Sequence, residues 1–210
     1  MAIRTITTQQ ILDEEIEQLI GLQGVFAGIH QATGTPELRY RHGGFLALFK
    51  SIVAQQLSVA AAATIWQRIA NEGLVDALSV LNASEQSFKD KGLSRQKIRY
   101  VKSLAQADID YEALLHADDE AVIKTLTAVV GIGRWTAEIY CLFSLRRADV
   151  FAHNDLALQT AAQAAFDLPE RPKEAAMRKM ADDWVPHRSA AAHLLWAYYR
   201  VIKNRSGIGI

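Results

Sequence analysis

The residues of this 210-residue chain best suited to chemistry fall in two short segments. In Leu126-Thr-Ala-Val-Val-Gly131-Ile-Gly133-Arg134-Trp135-Thr136-Ala137, a glycine-bearing turn separates two helical patterns. Two glycines around one apolar residue let the backbone turn sharply and let a ligand approach without meeting a Cβ, while Ile132 can fill the space between the helices. The second helix then begins with exposed N–H groups and about half a positive charge, a seat for one phosphate that reads no base sequence. About twenty residues later, Val150-Phe-Ala-His-Asn-Asp155 brings a carboxylate to the start of a further helix. A carboxylate there can stabilise positive charge developing in a transition state and can orient or deprotonate water. It can equally serve as an ordinary N-cap.

Other patterns carry less. Ser94-Arg-Gln-Lys97 has the Ser-x-x-Lys spacing of acyl-transfer enzymes, but neither Ser-Asp-Asn nor Lys-Thr-Gly accompanies it, and helix capping accounts for the serine. The six histidines, at positions 30, 42, 116, 153, 187 and 193, form no i, i+4 pair beside a carboxylate motif, so no metal site is expected. His153 reads as a turn residue, and Arg188 as either a carboxylate-orienting group or one half of a structural ion pair. A single cysteine, Cys141, excludes an internal disulfide, a four-Cys zinc site and an iron–sulfur cluster, and argues against secretion.

Lysine and arginine (23) balance aspartate and glutamate (23), yet the charge is uneven. Lys89, Lys91, Arg95, Lys97, Arg99 and Lys102 face Asp90 alone within fourteen residues, so a basic face is expected despite zero net charge. Half the residues are hydrophobic and 22% charged, enough to bury a core. No run approaches the roughly 18 apolar residues of a spanning helix, and the start MAIRTITTQQ has no apolar segment behind its charge. The expectation is a cytoplasmic protein with no membrane association.

The elements that must position these residues are helices. The four prolines, Pro36, Pro169, Pro172 and Pro186, leave more than a hundred intervening residues free of the strongest helix breaker. Apolar residues recur at helical spacing over Gly44 to Val53, and the Ala-rich run Ser58 to Ala70 has high helix propensity. Ser94 and Asp118 are positioned to cap two more helices, and others fit Trp135–Ser144, Asp155–Phe166, Pro172–Trp184 and Ser189–Lys203. Strand-like alternation is nearly absent. The expected class is all-α, with roughly ten helices in one unit, 1–210. Its approximate lobes are 43–150, carrying the hairpin 126–137, and 1–42 plus 151–210.

Taken together, Val130-Gly-Ile-Gly-Arg-Trp-Thr-Ala137, the following Asp-Val-Phe and Asp155 resemble the helix-hairpin-helix, Gly/Pro-rich loop and aspartate signature of the DNA base-excision glycosylases. Within that superfamily the chain is most similar to the 3-methyladenine DNA glycosylase II family. Supporting matches lie at Ile52-Val-Ala-Gln-Gln-Leu-Ser-Val59, Gly92-Leu-Ser-Arg-Gln-Lys-Ile-Arg-Tyr100, Trp184-Val-Pro-His-Arg-Ser189 and Leu195-Trp196, so the resemblance runs from about Gly43 to Lys203. It implies a fold of two helical lobes around a cleft, double-stranded DNA with alkylated bases as partner, and a monomer. Asp155 is the implied catalytic residue. Gly131, Gly133, Arg134, Thr136, Arg95 and Lys97 are implied DNA contacts. So is the loop Gln55, Gln56, Leu57 and Ser58, in which either Gln56 or Leu57 would wedge into the duplex when the damaged nucleotide flips out. Trp135, Tyr140 and Trp196 are the implied base pocket, because a cationic purine stacks on an electron-rich ring. No cofactor is implied beyond a monovalent cation at the hairpin backbone.

Departures from the family pattern sharpen the expectation. Where glycosylase/lyases of the superfamily carry a catalytic lysine after the hairpin's Gly-x-Gly-x, this chain has Trp135, so an amine nucleophile is missing. Only about forty residues precede the first matching helix, too few for the N-terminal β domain of longer members. Leu156 stands where some relatives place an aromatic after the aspartate. The function these readings imply is a monofunctional glycosylase excising 3-methyladenine first and 7-methylguanine next. The alternatives are a glycosylase for another damaged purine and a non-catalytic helix-hairpin-helix DNA-binding protein.

Overall fold

The computed structural model describes residues 3–205. Among the described residues are thirteen α-helices and no strand, with an isolated antiparallel bridge between Thr5 and Arg147. The chain divides into two compact units, Arg41–Leu145 and the terminal segments that flank it. The expected boundaries shift slightly. Residues 146–150 belong with the terminal segments because their backbone pairs with the N-terminal strand-like stretch: Ile6 N–H donates to Arg146 O (2.8 Å) and Ala148 N–H to Arg4 O (3.0 Å). Arg41 belongs to the middle segment, where its N–H donates to Phe143 O at 3.0 Å.

The terminal unit contains α1 (Gln9–Leu22), α2 (Val25–Thr33), α11 (Leu156–Ala165), α12 (Glu174–Asp182) and α13 (Arg188–Arg205). Its core forms around Trp184, which is 1% exposed, lies edge-on to Phe26 (5.4 Å) and Phe151 (5.2 Å), and stacks on Phe166 (5.9 Å). Ala190, Ala191 and Ala192 of α13 and Ala161 and Ala162 of α11 are fully buried, so small side chains let neighbouring helices approach closely.

The middle unit contains α3 (Phe45–Ala54), α4 (Val59–Asn71), α5 (Ala77–Asn82), α6 (Glu85–Asp90), α7 (Arg95–Gln106), α8 (Tyr111–His116), α9 (Asp119–Thr127) and α10 (Arg134–Phe143). Ser94 and Asp118 cap α7 and α9 as expected, and Ser58 caps α4, each accepting from the backbone N–H three residues on. The helices beyond the expected ten include α5, α6 and α8. Each is six residues long, too short for a 3.6-residue period to show, and each is started by a side-chain cap: Asp76, Ser84 and Asp110.

The basic run does not form a continuous basic face. Lys91 is buried and paired with Glu72 (2.5 Å). The Lys97 ammonium donates to Val53 O (2.7 Å) at the end of α3, and burial lowers its pKa. Lys102 reaches across α5 and donates to Val80 O, Leu81 O and Ala83 O at 2.6, 2.9 and 2.7 Å. Lys97 and Lys102 therefore meet carbonyls that a helix C-terminus leaves without intrahelical donors, where a cation is favoured. Arg95 and Arg99 remain on the exposed face of α7. Replacing Lys102 with Met keeps most of the aliphatic stem but deprives three carbonyls of their donor; an urea titration should show a loss of about 2 kcal/mol, and an unchanged midpoint would mean that water replaces the ammonium without cost.

Candidate active site

The expected hairpin forms between α9 and α10. Gly131 adopts φ +97°, and a Cβ built there would lie 2.1 Å from Cγ of Tyr100, so the residue is constrained twice, by backbone and by space. Ile132 is buried as the plug, and Ile132 N–H donates to Val129 O (3.1 Å). Ser103 Oγ accepts from Val130 N–H (3.2 Å), so Tyr100 and Ser103, one turn apart on α7, seat the hairpin from the same face. Gly133 is the N-cap of α10, bears no capping side chain, and has no heavy atom within 4 Å of where a Cβ would stand. The backbone at the start of α10 is therefore approachable, as a phosphate seat requires.

The other expected hairpin contacts divide. Arg134 joins α9 to α10: its guanidinium meets both carboxylate oxygens of Glu120 (2.5 and 3.2 Å) and its Nε donates to Glu138 (2.9 Å), whose carboxylate is buried. The hydrogen bonds to Glu120 hold its pKa above the ordinary value. Thr136 is buried, so its side chain serves packing rather than an exposed contact. Lys97 holds the end of α3, as described, and Arg95 lies exposed.

The 55–58 loop joins α3 to α4 as expected. Gln55 ends α3 and its Nε2 donates to Gly131 O at 2.9 Å, tying this loop to the hairpin. Gln56 is exposed with φ +56°, a left-handed conformation unusual for a side chain with a Cβ. Leu57 is 40% exposed and Val59 89%, so neither is a core residue beneath the cap. A cavity of about 1010 Å³ within this unit is lined by Gln55, Gln56, Trp135 and Ile139, together with Arg41, His42, Leu46 and Lys50. Trp135 is 41% exposed. Tyr140 is 5% exposed and its hydroxyl accepts from Gly44 N–H (2.8 Å), which anchors the start of α3. Leu46 and Lys50 escaped the sequence reading because their spacing is that of any amphipathic helix.

In the terminal unit, Asp155 is the N-cap of α11. One of its oxygens, Oδ1, accepts from Ala157 N–H (2.9 Å), Leu158 N–H (3.1 Å) and the Trp196 indole Nε1–H (3.3 Å). Capping and candidate catalysis thus coincide in one half-buried carboxylate whose rotamer is held by three donors. The loop before it is held from several sides. Arg188 clasps Asp149 through Nε (2.7 Å) and NH2 (2.9 Å), an ion pair that also orients that carboxylate. Ser189 Oγ donates to Arg147 O and accepts from Val150 N–H, and Gln159 Nε2 donates to His153 O (3.0 Å). His153 lies in a turn, as expected, and is buried edge-on against Phe151. Trp196 borders a smaller pocket of about 230 Å³ with His193, Glu37, Arg39 and Arg200. Burial, with Arg39 adding to it, pushes the His193 pKa down to about 4, so its ring is neutral at physiological pH. Among the described residues, no three His, Cys, Asp or Glu side chains converge as metal ligands, and no helix is long and apolar enough to cross a membrane.

The two hairpin glycines should respond differently to the same methyl group. Gly131→Ala forces a Cβ into the Tyr100 ring at positive φ and should cost at least about 2 kcal/mol. Gly133→Ala enters open space at φ −87° and should stay within about 0.5 kcal/mol of the parent. Thermal unfolding of both variants checks this, and equal losses would contradict the geometry.

Comparison with known proteins agrees with this arrangement. The HhH-GPD superfamily of base excision DNA repair proteins matches residues 49–187. A DNA-3-methyladenine glycosylase from Schizosaccharomyces pombe is 32% identical over 158 residues, covering 71% of this chain and 69% of that protein. Among such relatives the share of their own length that the chain spans ranges from 49% to 78%. A DNA-3-methyladenine glycosidase structure from Bacillus halodurans superposes with a TM-score of 0.83 at 26% identity, covering 97% of this chain and 95% of that one. A Schizosaccharomyces pombe 3-methyladenine DNA glycosylase in complex with abasic DNA follows at a TM-score of 0.76 and 28% identity, covering 87% and 95%. With its hairpin, its capping aspartate and the sequence between them inside the matched region, this chain belongs to the HhH-GPD superfamily of base excision DNA repair proteins.

Proposed function

We propose that the chain is a monofunctional DNA glycosylase that hydrolyses the N-glycosidic bond of alkylated bases in double-stranded DNA, 3-methyladenine first and 7-methylguanine next, acting as a monomer. The observation that carries this reading is Asp155, a carboxylate immobilised by three donors at the start of α11 inside the superfamily match. A phosphate clamp alone has no use for such a group. Relatives that carry the name 3-methyladenine glycosylase support the choice of lesion.

In this mechanism the open backbone at Gly133 and the first turn of α10 hold one phosphate, and Gln56, at the tip of its loop, enters the stack as the nucleotide turns out. Gln56 is preferred to Leu57 as the wedge because it alone of the two lines the cavity that also holds Trp135. In the middle unit, the exposed ring of Trp135 offers a face to a cationic base. Breaking the sugar–base bond places positive charge on the deoxyribose, which the Asp155 carboxylate stabilises while it orients the attacking water and takes its proton. Most glycosidases add a carboxylic acid to protonate the leaving group. An N3- or N7-alkylated purine is already cationic and leaves as a neutral base, so one carboxylate is sufficient.

Release of free base from methylated duplex DNA, followed by chromatography, tests the activity. Asp155→Asn retains an effective N-cap, so it should fold like the parent and still bind a duplex containing an abasic-site analogue. Excision should fall about a thousandfold, equivalent to about 4 kcal/mol at the transition state. Near-parental turnover would sink the assignment of Asp155. The position of Trp135 yields a separate expectation: base release leaves an intact abasic strand that breaks only on treatment with alkali or heat, and borohydride traps no covalent complex. Trapping at levels comparable to base release would overturn monofunctional chemistry and leave the glycosylase activity standing.

A further inference from the structure

We infer that Gln55 is a positioning residue that couples the duplex-probing turn to the phosphate-binding hairpin. The inference rests on the glycosylase reading above and assigns Gln55 a role that acts through its neighbour Gln56 rather than through DNA. Gln55 is half-buried, and its amide donates inward to Gly131 O at 2.9 Å, across 76 residues of sequence. The accepting carbonyl belongs to the residue with the least freedom in the hairpin, since Gly131 sits at φ +97° with Tyr100 occupying the space of its absent Cβ.

The same helix fixes both partners of this bond. On α7, Tyr100 lies one turn beyond Lys97, and Lys97 Nζ holds Val53 O two residues before Gln55, at 2.7 Å. The end of α3 and the hairpin are thus braced against α7 separately, and the Gln55 amide closes the connection between them directly. Beyond Gln55 the chain enters the left-handed conformation of Gln56, is bounded by the Leu57 N–H bond to Ala54 O (3.2 Å), and runs into α4 through the Ser58 cap. A side chain with a Cβ keeps such a backbone conformation only where its surroundings determine it. With the Gln55 amide in place, a phosphate held at the hairpin also sets the direction in which Gln56 projects. Without it, the hairpin still holds its phosphate while the turn wanders.

This coupling matters only when a base pair must be opened. The test compares two substrates, the same alkylated purine in a stable pair and in an unpaired bulge, with single-turnover excision measured for the parent and for Gln55→Met, which keeps side-chain length and loses the donor. The paired-to-unpaired rate ratio should fall at least tenfold, with undamaged-duplex affinity within about threefold of the parent. An equal loss on both substrates, a parental ratio, or a matching loss of undamaged binding would overturn the coupling. Should Gln55→Met fail to fold, Gln55→Glu presents an acceptor to the same carbonyl in nearly the same shape and should lower the ratio likewise. A parent that releases base from neither substrate would refute the glycosylase reading instead, so the two failures are distinct.

Discussion

Thirteen helices in about two hundred residues create an accounting problem at helix ends, and its solution shapes this protein more than any one contact. Each helix leaves four N–H groups and four carbonyls without intrahelical partners. Short helices have few bonds over which to spread that cost. Side-chain caps at Thr8, Ser58, Asp76, Ser84, Ser94, Asp110, Asp118 and Asp155 meet it at N-termini, and Lys97 and Lys102 meet it at C-termini. The start of α10, like those of α2, α3 and α12, has no capping side chain, and the space beside Gly133 leaves its first N–H groups approachable, as the proposed phosphate seat requires.

The same economy explains how Asp155 can be both structural and chemical. A capping aspartate has its carboxylate oriented by backbone donors whose positions are set by the helix, and here the Trp196 indole adds a third donor from α13. Orientation that a free side chain would acquire only on binding substrate is present beforehand. In the proposed mechanism, catalytic preorganisation and helix nucleation draw on the same hydrogen bonds.

What the amino-acid pattern reveals follows from the range of each interaction. The long helices, their caps and the hairpin were legible because capping and apolar periodicity act within a few residues. The aspartate stood out for its distance from the hairpin. The destinations of the long cationic side chains were not legible: Lys91, Lys97 and Lys102 look like a solvated basic stripe until the carbonyls and carboxylate they meet, from 19 to 44 residues away, are in place. The bond from Gly44 to Tyr140 was not legible for a related reason, since an aromatic at helical spacing suits a pocket and a core equally and its partner lies 96 residues away. Nor did Gly131 announce its neighbour. The need for a missing Cβ was visible, whereas the Tyr100 ring that fills the space was not.

The inward turn of those lysines also bears on how the molecule would search a genome. Cations that displace condensed counterions from DNA make binding steeply dependent on salt and hold a protein on any sequence. Backbone N–H dipoles displace none. A chain with no net charge, in which Lys97 and Lys102 are committed to helix ends and Lys91 to Glu72, has less of this long-range adhesion to lose as ionic strength rises than its basic run suggests. Under the proposed function, encounters with undamaged duplex would be correspondingly brief, and residence would be left to short-range fit around a displaced base.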